Sequence, residues 1–559
     1  MRLTFLPSEI LAEILIDLDR RDLLRCREVT VGFDTSQSFN NLIHLYFGIQ
    51  ICTKFKALID EDVRAQYKVH LSVAGLQNGP PSTISTGGRL STLRVYQHAW
   101  NEFVWSAKED VSMSTDIADS WELYGNVLAQ VEGMRTLHFK QIPSAIRGIK
   151  GTAWTIPDVG CNITEIGLDP AQDLLVIIED FEDNTELTCR VHLHLRSLAT
   201  GAPRPAAPAT AMLTHEPEPG GYSYAIQVSE DNLGILLSSM DFGDPSELLI
   251  WNWKTGQLHL HIVGIGLHSW AFLTSRLLIL AHSSEEDPRL LVVDLDSPQP
   301  STPTMLSELD FLCAFCYPPF RDEVSVLDML VRSNPAPTWR PSPALAVPFS
   351  VSPADRLFVV TFWLIEYDEE AVMLSLVPAS TLLRAIATLA PGEMETARKR
   401  VFAWAEWGPR GSRLVEAPSS YTSTEVCYVY GTRFAHVEKD WDEGAGRLRK
   451  FVVVRDFNQL AVRRAGAAGT SGGKGSALGS SGVRMGDKEQ SVRVVDAKTL
   501  GPPGVFQEEE VTTALPYVER ICVLASEDGE FNAVMLTEDA MVLVAGTWQS
   551  PLRYRILSV

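Results

Sequence analysis

Residues 232–264 read "NLGILLSSMDFGDPSELLIWNWKTGQLHLHIVG", and this pattern decides the fold. Two apolar runs, 232–242 and 247–264, flank a polar stretch holding Asp, Gly, Pro and Ser. Ile and Trp suit a pleated, half-buried surface, and the polar stretch suits a turn. "IWNWKTG" at 250–256 then reads as the end of one strand and the turn after it.

The same unit recurs along the chain. Residues 173–181 precede 189–201, 276–283 precede 289–296, and 356–368 precede 371–378. Further on, 427–439 precede 450–458, and 531–539 precede 540–546. The phrases "VSEDNLGILL" (228–237), "VSPADRLFVV" (351–360) and "LDPAQDLLVI" (168–177) are alike. Such repetition marks an array in which each unit buries its face on a neighbour. Closing the array into a ring hides the sheet edges. The Trp-bearing strand end at 250–256 resembles a WD repeat, although the other units lack a regular Trp-Asp and Gly-His pair. The resemblance implies a degenerate WD-like β-propeller of six or seven blades. A pair of large β-sandwiches and an irregular solenoid are the competing architectures.

The first sixty residues have a different period. "LPSEILAEILIDLD" (6–19) places Ile10, Leu11, Ile14, Leu15 and Leu18 on one wide helical face. Pro7 suits the first helical position, and Glu9 lies where the helix dipole favours negative charge. A second helix starts near Asp19, with Leu23, Cys26 and Val29 at three-residue steps. The pattern then fails through Thr30–Ile51, which has one charged residue, Asp34, and many poor helix formers. Removing those 22 residues brings Phe55, Leu58 and Ile59 into helical step with Val29.

"LPSEILAEILIDLDRRDLLRCREV" joined to "CTKF" resembles an F-box, over about 28 residues. The departure is the insert at 30–51, which splits the third helical segment of the motif. It is either a genuine loop or a translated short intron: 22 codons keep the reading frame. The resemblance implies a small helical hook for a Skp-type adaptor and, through it, a cullin. The adaptor-binding residues it carries over are Leu6, Pro7, Ile10, Leu11, Ile14, Leu18, Leu23, Leu24, Cys26, Val29 and Phe55. An insert inside the hook would misplace several of them.

After the hook, 58–79 and 89–105 read as helices joined by a loop at 80–88. In fungal-type F-box proteins, which this order resembles, such helices form a spacer. The organisation expected is therefore α+β and multidomain: an F-box domain at 1–60, a helical connector at 61–115 and the propeller at 116–559. Within the last, the Gly/Ser-rich stretch 463–490 reads as a disordered loop. Its "GGKG" is not a phosphate loop, because Ala468 and Gly475 occupy positions that need Gly and Ser or Thr.

Composition narrows the function. The chain has 559 residues, too many for one ordinary core, and a net charge of -22. Nucleic-acid binding needs a basic face, which this balance opposes. No run of 18 apolar residues is present, so no membrane span is expected, and the N-terminus lacks a secretory cleavage site. Eight irregularly spaced cysteines suit a reducing compartment, cytoplasmic or nuclear. "CAFC" (313–316) has no second pair for a zinc site. His192 with His194, and His259 with His261, alternate along strands but lack a carboxylate or third His nearby in sequence. The acidic runs 180–186 and 507–511 suit solvated turns, and "WNW" (251–253) and "WAEW" (404–407) suit packing between blades. No catalytic fingerprint appears, so no catalytic residue, cofactor or metal is assigned. The expectation is a non-enzymatic substrate receptor of an SCF-type ubiquitin ligase, its propeller holding an unknown protein target. The alternative is a propeller scaffold without ligase association.

Overall fold

The computed structural model describes the chain apart from residues 1–5, 19–21, 24–25, 27–53, 114–119, 184–187, 209, 242, 284–287, 298–301, 343–344, 346, 368, 390–398, 419–426, 443–446, 471–482, 485–489, 525–529 and 547–549. The insert at 30–51 therefore lies outside the described residues, as do Leu24 and Val29.

Seven sheets of four or five strands, antiparallel but for one added strand in each of two, follow one another as the blades of a ring. Blade 1 spans 121–156, blade 2 spans 165–215, and blade 3 spans 222–264. Blade 4 begins at Leu267, blade 5 at Val324, blade 6 at Val429 and blade 7 at Phe531. Short parallel strands, Thr304–Met305 and Arg400–Phe402, are added outside blades 3 and 4. They cover edges that would otherwise offer unpaired backbone groups. The alike phrases in the sequence become the corners between first and second strands of blades 2, 3 and 5. In blade 2, Asp169 caps the Pro170–Gln172 turn by accepting from Ala171 N (3.0 Å).

Packing is organised by blade interface. Leu174, Val176 and Leu193 of blade 2 share one cluster with Leu233, Ile235 and Trp251 of blade 3. Leu123 and Leu128 of blade 1 meet Met535 and Val542 of blade 7 in another. Each blade thus buries both faces on neighbours, which is why its middle strands read as continuous apolar runs.

Closure joins distant parts of the chain. Ala107–Ser112 is the outer strand of blade 7, pairing antiparallel with Arg553–Ser558. Arg555 grips Asp110 through both carboxylate oxygens (2.6 and 3.0 Å), and this pairing holds the Asp110 carboxyl below its usual range. The ring therefore starts ahead of residue 116, the boundary expected from the change of hydrophobic period. A strand six residues long, four of them polar, gives no apolar signal of its own.

The helical connector is not a detached spacer. Helix α1 spans Ser8–Asp17, α2 Val63–Val73 and α3 Thr86–Glu102. Tyr67 and Leu71 of α2, with Leu93, Tyr96 and Trp100 of α3, enter one core with Val437, Val452, Leu536 and Leu543 of blades 6 and 7. Strand Leu76–Asn78 pairs with Phe349–Val351, and Arg433 of blade 6 lies 4.4 Å from the Trp100 ring centroid. The start of α3 lies inside the stretch read as a loop. Ser85 caps it by accepting from Gly88 N (3.2 Å), a signal masked by two glycines. The Gly/Ser-rich stretch from 463 likewise begins inside a helix, Gln459–Thr470, and Val483–Arg484 pairs with Val104–Trp105. Residues 471–482, with the "GGKG", lie outside the described residues.

Candidate functional site

Helix α1 has two apolar faces. Leu11 and Leu15 are 1% and 4% exposed, whereas Ile10 and Ile14 are 48% and 40% exposed. Leu6 is half-buried and Pro7 exposed, so Leu6, Pro7, Ile10 and Ile14 continue the outward stripe at three- and four-residue steps. The inward face meets Leu23 and residues from beyond the insert. Leu15, Leu23, Ile59 and Ala65 form one cluster, with Leu18, Cys26, Phe55 and Leu58 against it. Both flanks of the insert thus share a core. Of the described residues read as adaptor-binding, Leu18, Leu23, Cys26 and Phe55 belong to this cluster. Leu11 is buried, Leu6 is half-buried, and Pro7, Ile10 and Ile14 are exposed.

Two basic residues of α2 hold α1 in place, and the sequence offered no pattern for finding them. Arg64 pairs with Glu13 (2.9 Å), and Lys68 donates to the carbonyls of Ile16 and Leu18 at the end of α1. A cation at a helix C-terminus satisfies its orphan carbonyls and its dipole.

The helices pack at the end of the ring that carries the corners between first and second strands of each blade. At the other end of the strands lies a groove of about 1020 Å³, shared by blades 3, 4 and 5. Ile265, His268, His282, Phe320, Arg321 and Leu327 line it. Ile265 is 66% exposed.

The middle of the ring is narrower. Glu122, Tyr124, Arg332, Arg356 and Cys427 line a cavity of about 70 Å³. Burial pushes the Glu122 carboxyl up to about 7, with Arg332 pulling the other way. Small-molecule sites occupy roughly 300–1,000 Å³, so this cavity has room for a few waters and none for a substrate.

The histidine pairs have partners that linear spacing did not reveal. His194 Nε2 lies 2.9 Å from Glu179 Oε2, and His192 lies edge-on to Phe181. His261 Nε2 lies 2.9 Å from Glu247 Oε2, and His215 Nε2 reaches the same oxygen at 2.8 Å. A register shift at Ile250/Trp251 leaves His259 opposite no residue of the neighbouring strand, and it is not part of this group. Trp251 and Trp253 pack between blades 2 and 3, and Trp407 packs in the cluster of blades 4 and 5. Cys313 of the "CAFC" strand is buried, which raises its thiol to about 12.

No family model matches the chain, and no curated protein matches it. Among solved structures, the WD40 domain of SCAP from fission yeast is similar at 9% identity. That likeness covers 79% of this chain and 82% of that one, with a TM-score of 0.31. Sqt1 from Chaetomium thermophilum is similar at 10% identity over 80% of this chain and 85% of that one, with a TM-score of 0.29. Hsv2 from Kluyveromyces lactis is similar at 9% identity over 47% of this chain and 68% of that one, with a TM-score of 0.23. Likenesses at these scores carry no weight for function, and the seven-bladed ring rests on the strand pairing of the chain itself.

Proposed function

We propose that the chain is the substrate-recognition subunit of an SCF-type ubiquitin ligase. The outward stripe of α1 takes a Skp-type adaptor, and through it a cullin. The far end of the ring takes a protein target. The observation that supports this reading is the split of α1 into a buried face (Leu11, Leu15) and an exposed apolar face (Pro7, Ile10, Ile14). An apolar stripe left in water beside a motif that resembles an F-box is what an adaptor would cover. The chain contributes no chemistry of its own in this role. Holding a target near the transfer centre raises the effective concentration of its lysines. The helices and the groove lie at opposite ends of the strands, so adaptor and target would not compete for one surface.

The test is calorimetric titration of a purified Skp-type adaptor into the full chain and into the chain lacking 30–51. The shortened chain binds at sub-micromolar concentration. Burying an isoleucine contributes roughly 1.5–3 kcal/mol, and about half of that is available to side chains already half covered. Ile10→Asp with Ile14→Asp therefore weakens binding by roughly 10-fold or more. A shortened chain that ignores the adaptor at micromolar concentration defeats the proposal and leaves a propeller scaffold without ligase association.

A further inference from the structure

We propose that His215, Glu247 and His261 form a binding site for a divalent transition-metal ion of the zinc class, bridging blades 2 and 3. His215 ends the outer strand of blade 2, Met212–His215. Glu247 lies on the third strand of blade 3, Ser246–Asn252, and His261 on its outer strand, Gln257–Gly264. Leu249 pairs with His261 in register, so Glu247, two residues before Leu249, shares a face with that histidine. All three side chains are thus carried by strands rather than by loops.

The donors converge. Both Nε2 atoms approach one carboxylate oxygen, at 2.8 and 2.9 Å, and the two rings stand edge to face at 5.2 Å. The ligand atoms of the three residues all lie within 4.8 Å of one another. Zinc bound at about 2.0–2.2 Å in a tetrahedron separates its ligands by roughly 3.3–3.5 Å. The two distances from imidazole to carboxylate need to lengthen by only about half an ångström, which side-chain rotation supplies. Two histidines and one carboxylate leave a fourth position for water, and suit zinc chemistry better than calcium or magnesium chemistry. The side chains are 14%, 8% and 13% exposed, so an ion can reach them from solvent.

A buried carboxylate flanked by two groups that are neutral as ligands lacks one positive charge, which the ion supplies. A second group, Cys161, Glu179 and His194, has similar residue types but is less ready. There Asn162 N already donates to Glu179 (2.8 Å), and burial raises the Cys161 thiol. A metal on the first group would staple two blades and stabilise the ring by mass action.

The test uses the full chain stripped with a chelator and then titrated with zinc chloride or cobalt chloride alone. The native chain takes up one equivalent more than the His215→Asn/His261→Asn chain, and His259→Asn retains it. Glu247→Gln, which keeps the side-chain shape, lowers zinc affinity at least tenfold. Zinc raises the unfolding temperature of the native chain and not of the double variant. Cobalt gives visible ligand-field bands without the near-ultraviolet thiolate band. Equal uptake by native and double-variant chains, absence of uptake, or a spectrum dominated by the thiolate band overturns the proposal. The last result would place the ion at Cys161 instead. If the double variant fails to fold, Glu247→Gln and His215→Asn singly decide the matter.

Discussion

Glu122 and Glu247 are both glutamates on ring strands, and their surroundings push them in opposite directions. Burial lifts Glu122 from 4.5 to about 7, against Arg332, which pulls it down. Its contribution to stability is present below the ordinary value and is lost as the pH rises through about 7. Glu122→Gln therefore stabilises the fold at pH about 8 by on the order of 2–3 kcal/mol, seen as a higher unfolding temperature, and changes little at pH about 4.5. Thermal unfolding at the two pH values checks this, and an equal shift at both contradicts it. Glu247, held at about 2, behaves the other way: its contribution is present above the ordinary value and is lost as the pH falls through about 2. Neither environment was legible in the sequence. A strand shows which residues share its face, but His215 meets Glu247 only because blade 2 stacks on blade 3. Sequence separation of 32 residues hides that contact from any local pattern.

At the level of elements, hairpins with long apolar middle strands were readable because both of their faces are buried. Blade 1 was missed. Its strands Trp121–Tyr124, Val127–Glu132 and Thr136–Gln141 are short and hold Glu, Gln, His and Lys among their apolar residues. The period of α1 was readable, but not its division into an inner and an outer face, since both faces are apolar. The inward one is the face whose Leu15 meets Leu23, Ile59 and Ala65, and that contact spans the insert. Gly234, inside the stretch that marks the fold, has a role that composition conceals. A Cβ there would lie 2.0 Å from Trp270 Cη2 on blade 4 and 2.6 Å from Ile250 Cδ1. The absent side chain lets the indole sit against the strand. Gly234→Ala is expected to cost about 1–3 kcal/mol through overpacking. The midpoint of urea unfolding measures it, and an unchanged midpoint would contradict the close approach. On the helical side, Asp62→Ala removes a cap that accepts from Arg64 N and Ala65 N (2.7 and 3.2 Å). Loss of about 1 kcal/mol from the helical unit is expected, seen as faster amide exchange across α2 with the blades unchanged.

The whole molecule is a ring that one N-terminal strand closes and one N-terminal helical unit extends. Closure brings Asp110 to Arg555 across 445 residues, so it depends on the chain before the boundary that the change of hydrophobic period suggests. A chain beginning at residue 116 loses that strand and exposes the edge of 553–558. It is expected to elute from size exclusion as soluble aggregate, while a chain beginning at residue 54 elutes as a monomer. Monomeric behaviour of both would contradict closure by 107–112. Beyond closure, the surfaces proposed for adaptor and target lie at opposite ends of the blades. The most direct measurement is amide exchange of the chain lacking 30–51, with and without a Skp-type adaptor. Adaptor-dependent protection should fall on residues 6–29 and 54–61 and leave the groove around Ile265 and Phe320 unchanged. Protection of the groove alone, or of no segment at all, would contradict the account.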